Sequence, residues 1–302
     1  MNRFFALSRT SHGILDLATP AFCALLWLGS FPHWTVVALS IFTAFAAYTA
    51  IYALNDLVGM TIDREKFSRS EINTGYSVEA SELRYPLARN ILSFKSGMLW
   101  MGIWFILALA GSYLLNPIIV FILIAASILE IIYCTLLKVT YLRTFVSGLV
   151  KASGPIAAVF VVDTHPSISS LLLLFAWIFF WEIGGQNVPA DWNDTVEDKS
   201  VNAKTIPIQF GTKKAGLIVI ATLTITVIAS ILLPLISPAP LGLSYILASL
   251  IIGFIFLLQP GLQLNKNRDG RYAAKLFDKA SYYPVAQFVL ISVILVITTF
   301  TG

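Results

Sequence analysis

The sequence predicts an all-α integral membrane protein, a bundle of nine transmembrane helices around a central cavity, capped on one side by loops or short helices. Three observations carry that expectation. Hydrophobic residues make up 57% of the 302 residues against 12% charged, with a mean hydropathy of +0.81, far beyond a soluble domain. Nine apolar runs approach the roughly 20 residues that a helix needs to cross a hydrocarbon core of about 30 Å. Basic residues, finally, segregate between alternate loops.

The first run, 14–30, follows a polar start with Arg3 and Arg9 and is not followed by a small-residue cleavage site. It reads as a retained helix rather than a signal peptide. The others fall at 34–54, 97–115, 117–137, 141–162, 168–190, 215–236, 242–259 and 281–300, forming one membrane domain over 1–302. If these runs alternate in direction, 19 of the 20 Lys and Arg residues lie on one side, with Lys151 inside the fifth run as the exception. The segregation predicts a cytoplasmic N-terminus and a C-terminus on the opposite side. The net charge of +4 then reflects topology and gives no case for nucleic-acid binding. Cys23 and Cys134 lie inside apolar runs and suggest neither a disulfide framework nor a thiolate metal site.

The long loops after the second and sixth runs each open with an acidic cluster: "NDLVGMTIDR", with Asn55, Asp56 and Asp63, and "DWNDTVEDKS", with Asp191, Asp194 and Asp198. Four crossings separate them, as in a parallel repeat, so both clusters are expected at one membrane depth. If the helices continue past the apolar runs, Asn55, Gly59 and Asp63 fall at i, i+4 and i+8, and the three later aspartates at i, i+3 and i+7. Each cluster would then show one oxygen-rich face. Stacked carboxylates repel one another unless cations lie between them. Mg²⁺, which takes one or two carboxylates, waters and phosphate oxygens, is the natural counter-ion. Paired acidic faces at a membrane surface therefore suggest metal-bridged binding of a diphosphate; the alternative is two solvated helix ends.

These residues resemble the UbiA superfamily of intramembrane prenyltransferases. "NDLVGMTID" is similar to its first motif, N-D-x-x-D-x-x-x-D, and "DWNDTVEDKSVNAKTIPIQFG" to its second, D-x-x-D-x-x-x-D with a basic residue and a K-T-[IL]-P-x-x-x-G tail. "RYPLA" (84–88) is similar to an R-P-L-P segment, after a longer connection from Asp63 than usual, and "HGILDLATP" to the first helix. One departure matters: the middle carboxylate of the first motif falls on Gly59. The resemblance implies Mg²⁺ as cofactor, with Asp194 and Asp198 binding one ion beside Asp191, and Asn55 and Asp63 serving another with Asp56 in support. It further implies that Asp191, Asp194, Asp198 and Lys199 form the catalytic centre. Lys138, Arg143, Lys199, Lys204 and Arg84 would meet the oxygens of an isoprenyl diphosphate.

The expected reaction ionises that diphosphate and transfers the prenyl group to a small acceptor, expected to be aromatic, as in quinone-type lipid biosynthesis. Tyr52, Tyr133, Tyr141, Phe180 and Trp181 lie near the relevant helix ends and could face the allylic cation. Asp16, Glu130, Lys151 and Glu182 lie within apolar runs, where an ionised group calls for a partner or a polar cavity. Two readings stand for them: a structural pair such as Lys151 with Glu130 or Glu182, or acceptor binding, with Asp16 or Glu182 also able to act as base. His12, His33 and His165 lack ligand spacing and are expected at membrane boundaries. "GGQN" (184–187) allows close helix packing or a local break, and Trp100, Trp104 and Trp177 are expected in the core or facing lipid. A non-aromatic acceptor or a terpene cyclase remains an alternative within the same superfamily. Outside it stand a transporter coupled through the intramembrane charges and a non-catalytic lipid binder.

Overall fold

In the computed structural model, residues 2–69 and 85–301 are described, and among them nine helices are long and apolar enough to span a membrane. They run Thr10–Leu28, Trp34–Ser68, Phe94–Leu115, Pro117–Lys138, Arg143–Val162, Ile168–Asn193, Ile206–Ile236, Gly242–Asn267 and Gly270–Phe300, numbered here first to ninth. No strand occurs among the described residues. The expected runs all appear, and several helices extend well past their apolar stretch. The second continues through the whole first acidic motif. The seventh and ninth begin nine and eleven residues earlier than 215 and 281. Polar ends of this kind carry no hydropathy signal, so the apolar run underestimates the helix.

Local chemistry accounts for the breaks. The first helix is interrupted at Leu17, between Thr10–Asp16 and Ala18–Leu28. Pro20 has no N–H for the Asp16 carbonyl, and its ring crowds that carbonyl. Between the third and fourth helices, the Asn116 side chain accepts from the Ile118 N–H at 3.0 Å and donates to the Phe160 carbonyl at 2.8 Å, with Pro117 at the first turn. In the seventh helix Gly211 takes φ 74° and ψ 164°, a bend that an L side chain would strain. That glycine closes the second motif's tail.

The largest core cluster lies among the first and the fifth to ninth helices, around Phe22, Trp177, Trp181, Tyr245 and Tyr283. Its polar atoms bond across helices: the Trp177 indole donates to the Tyr283 hydroxyl at 3.0 Å, and Gln287 donates to Ser249, which reaches Ser230. Lipid offers no competing water, so such groups must find partners inside. Leu114, Phe121 and Leu235, each more than 70% exposed, belong to the outer apolar belt.

Candidate functional site

A cavity of about 510 Å³ runs through the bundle, bounded by residues of the first to sixth and the ninth helices. One end is apolar, with Phe31, Pro32, Leu115 and Val162; the other is polar, with Arg9, Asn55, Glu130, Tyr133 and Asn187. This is the size of a small-ligand site. Its lining suits an apolar chain with a polar head.

At the polar end the two acidic motifs meet. Lys66, a turn beyond Asp63 on the second helix, places Nζ 2.7 Å from Asp198 Oδ1, and both side chains are buried. Arg143 Nη1 is 3.0 Å from Asp191 Oδ1, while its guanidinium lies 4.0 Å over the Tyr133 ring. Arg9 reaches Asp56 and Asn55 at 3.3 Å, and Lys138 pairs with Glu65. Burial pushes the Asp198 carboxyl above its ordinary range, and the Lys66 ammonium opposes that rise. The two acidic motifs therefore lie at the same end of the bundle, joined through Lys66 just past the first.

The first motif keeps the helical stacking that its spacing predicts, because the second helix runs on without a break. The second motif bends at Asp194. Its helix stops at Asn193, Asp194 has φ −90° and ψ 11°, and a short helix Thr195–Ser200 follows, while the Asp194 N–H still bonds to the Ala190 carbonyl and the Asp198 N–H to the Asp194 carbonyl. Within it Asp191 pairs with Arg143 and Asp198 with Lys66.

Other expected residues divide by position. Asp16, Asn55, Glu130, Tyr52 and Glu182 lie on or beside the cavity wall, with Asn55 donating to Glu130. Tyr141 instead packs edge-on against Phe210, 4.7 Å between centroids, and does not line the cavity. Lys199 and Lys204 are exposed, and the Lys204 backbone N–H is bonded to the Leu137 carbonyl at 2.8 Å. Arg84 lies outside the described residues. Phe180 lies against Phe179, and Trp181 is a core residue whose indole donates to the Ala280 carbonyl.

One expectation is corrected. Lys151 pairs with neither Glu130 nor Glu182: its Nζ lies 2.7 Å from both oxygens of Asp16. His12, two residues after the start of the first helix, is buried on the cavity wall with Nε2 3.8 Å from Asp16 Oδ1. His33 and His165 do sit in the connections, bonded to Thr35 and Thr164. "GGQN" satisfies both of its readings. Glu182–Asn187 forms a π-helical turn. A Cβ on Gly184 would stand 2.2 Å from Thr222 Oγ1, and one on Gly185 would stand 2.9 Å from the Ala280 Cβ. The turn lets the sixth helix touch the seventh and ninth at once while presenting Glu182, Gln186 and Asn187 to the cavity. Lys66, Arg9 and Glu65 were missed as site residues; lying three residues past Asp63, Lys66 was the one with a spacing signal.

The chemistry of the donors fits a hard divalent ion. Asp191 Oδ2 and Asn187 Oδ1 are buried acceptors with no hydrogen-bond partner, and oxygen ligands are what Mg²⁺ takes. No group of three or more His, Cys, Asp and Glu side chains among the described residues could hold an ion by itself. An ion here would need oxygens from a ligand as well.

Comparisons agree with this fold. Residues 17–290 match the UbiA prenyltransferase family. The fold is similar to that of a digeranylgeranylglyceryl phosphate synthase, with TM-score 0.68 and 18% identity, covering 97% of this chain and 98% of that one. It is also similar to a UbiA homolog from Archaeoglobus fulgidus bound to DMAPP and Mg²⁺, with TM-score 0.69, 16% identity and coverage of 96% and 99%. An apo UbiA homolog from Aeropyrum pernix K1 gives TM-score 0.73, 16% identity and coverage of 96% and 98%. No curated protein matches the chain.

Proposed function

We propose, from the premise that the chain belongs to the UbiA prenyltransferase family, that it ionises an allylic isoprenyl diphosphate and joins the prenyl group to an acceptor in a Mg²⁺-dependent reaction. The observation that carries this reading is the apolar cavity whose polar end adjoins both acidic motifs, linked by Lys66 and Asp198. The DMAPP and Mg²⁺ bound to the Archaeoglobus fulgidus homolog support it.

When bound, Mg²⁺ would neutralise charge on the departing diphosphate. Asp63, Asp194 and Asp198, with Asn55 and Asp56 and the unpartnered oxygens of Asp191 and Asn187, are the residues to hold it. Arg143, fixed by Asp191, supplies a positioned guanidinium for the diphosphate; Lys138, Lys199, Lys204 and Arg84 are further candidates from the surrounding loops. Tyr52 and Tyr133 line the cavity next to the polar end, where π faces favour a developing allylic cation. The apolar remainder takes the prenyl tail and keeps water from the cation. The basic loops give this end a cytoplasmic location.

The test is binding of radiolabelled geranyl diphosphate to the detergent-purified protein with and without Mg²⁺, together with diphosphate release from a panel of allylic diphosphates. Mg²⁺-dependent binding and release are expected; binding indifferent to Mg²⁺ would reject the reading. Gly59 gives a second measure. A Cβ there would stand 3.2 Å from Asp63 Oδ2, so the Asp63 carboxylate leans over the place of the missing side chain. Gly59→Asp adds an oxygen ligand to that face. It is expected to lower the Mg²⁺ concentration for half-maximal geranyl diphosphate binding about tenfold, or ~1.4 kcal/mol. An unchanged titration would remove Gly59 from the metal site.

A further inference from the structure

The polar end carries cations of its own, and their positions bear on how many metal ions it takes. Arg9 reaches Asn55 Oδ1 and Asp56 Oδ1, both at 3.3 Å, and Arg143 holds Asp191 Oδ1 at 3.0 Å. Lys66 joins the two motifs. It stands three residues past Asp63 on the unbroken second helix, so both side chains leave the same face, and its Nζ lies 2.7 Å from Asp198 Oδ1 of the other motif. Asp194 and Asp63 are within electrostatic reach of the same ammonium. Lys66 is 7% exposed and Asp198 2%. One positive charge is thus buried between the motifs, where a divalent ion bridging them would have to stand.

The first motif is short of oxygen on that side. Gly59 brings no ligand, and among the described residues an added Cβ would meet only Asp63 within 4 Å, so packing does not keep a side chain out. Asn55 and Asp56 each give an oxygen to Arg9. That leaves Asp63 as the carboxylate through which the first motif could hold an ion, and the ammonium already stands beside it. The second motif is better supplied. Asp191 Oδ2 and Asn187 Oδ1 are buried acceptors with no hydrogen-bond partner, and Asp194 and the second oxygen of Asp198 belong to the same segment. Mg²⁺ takes one or two carboxylates with waters and phosphate oxygens, which this side can provide. A second ion, bridging to the first motif, would have to displace the Lys66 ammonium, since like charges in contact repel strongly in a buried site.

We infer that Lys66 takes the place of one metal ion, so that this site works with a single Mg²⁺ where the resemblance implies two. The inference rests on the prenyltransfer reading and deepens it. A diphosphate lying between the motifs meets the one ion and, on the first-motif side, a fixed ammonium that offers N–H donors and one unit of charge instead of coordination. It also accounts for Gly59: a carboxylate there would complete the cage of an ion that the lysine has replaced.

Counting bound ions tests this. The detergent-purified protein is dialysed to equilibrium against Mn²⁺, standing in for Mg²⁺, with geranyl thiolodiphosphate, an analogue that resists ionisation, and with a micelle-only control. Wild type is expected to bind about one Mn²⁺ per chain, and its electron paramagnetic resonance spectrum to lack the coupling of two ions roughly 3.5–4 Å apart. Gly59→Asp keeps the ammonium and should stay at one ion. Gly59→Asp combined with Lys66→Met supplies the missing carboxylate and vacates the place, and should take a second ion with a coupled spectrum. Two ions on wild type would show that Lys66 yields to metal and would overturn the inference. A second ion on Gly59→Asp alone, or a double variant that melts cooperatively yet stays at one, would overturn it as well. The wild-type and Gly59→Asp counts decide the matter even if the double variant does not fold. No Mn²⁺-dependent binding of the analogue at all would instead reject the prenyltransfer reading, and the inference with it.

Discussion

Asp198→Ala is expected to reduce Mg²⁺-dependent diphosphate release by about 100- to 1,000-fold, the scale on which one preorganised charge contact acts in a buried site. The same change also removes the anion 2.7 Å from the buried Lys66 ammonium. Breaking such a pair costs roughly 3–5 kcal/mol, because the remaining charge stays desolvated. A loss of activity could therefore be mere unfolding. Pairing Asp198→Asn with Lys66→Met separates the two effects: the double variant removes both charges, so thermal stability should return while release stays low. Release that recovers along with stability would show that Asp198 acts only as the lysine's partner. The measurement is diphosphate release at saturating geranyl diphosphate beside a thermal melt in detergent.

Gly184→Val should be the most damaging change away from the charged end. A Cβ at that position would already stand 2.2 Å from Thr222 Oγ1 and 3.1 Å from the Val219 carbonyl. The second of these is backbone and cannot rotate away. The sixth and seventh helices must separate, and overpacking of this kind costs about 3 kcal/mol. A drop in melting temperature of roughly 5–10 °C is expected. Because Gly184 lies in the π-helical turn that carries Glu182, Gln186 and Asn187, the shift should also disturb the cavity wall and weaken geranyl diphosphate binding. Gly102→Ala is the comparison: a Cβ there meets nothing within 4 Å, and the melt should be unchanged or slightly raised. Equal effects from the two variants would mean that the close crossing is not what Gly184 provides.

Much of the architecture follows from the chain alone, for reasons that are local. A run such as Pro117–Lys138 has nowhere to bury its apolar surface except lipid or other helices, so the number and approximate position of the spans can be read from hydropathy. Asn55, Gly59 and Asp63 stack as spacing predicts because one helix carries them all. The bend that closes the Asp191–Gly211 tail falls on Gly211, a residue that tolerates a positive φ.

What spacing could not determine is which residues meet across helices. Lys66 counted only as a loop cation, yet it is the link between the two acidic motifs. By sequence Lys151 was expected to pair with Glu130 or Glu182. It took Asp16, on the helix that Pro20 breaks. Likewise His12 has no sequence signal that sets it on the cavity wall, and nothing in the second motif's spacing assigns Arg143 to Asp191 and Lys66 to Asp198. Hydropathy and local propensity act along one helix and are written in its residues. Ion-pair choice depends on the rotation and depth of each helix against its neighbours, and packing of the whole bundle decides these.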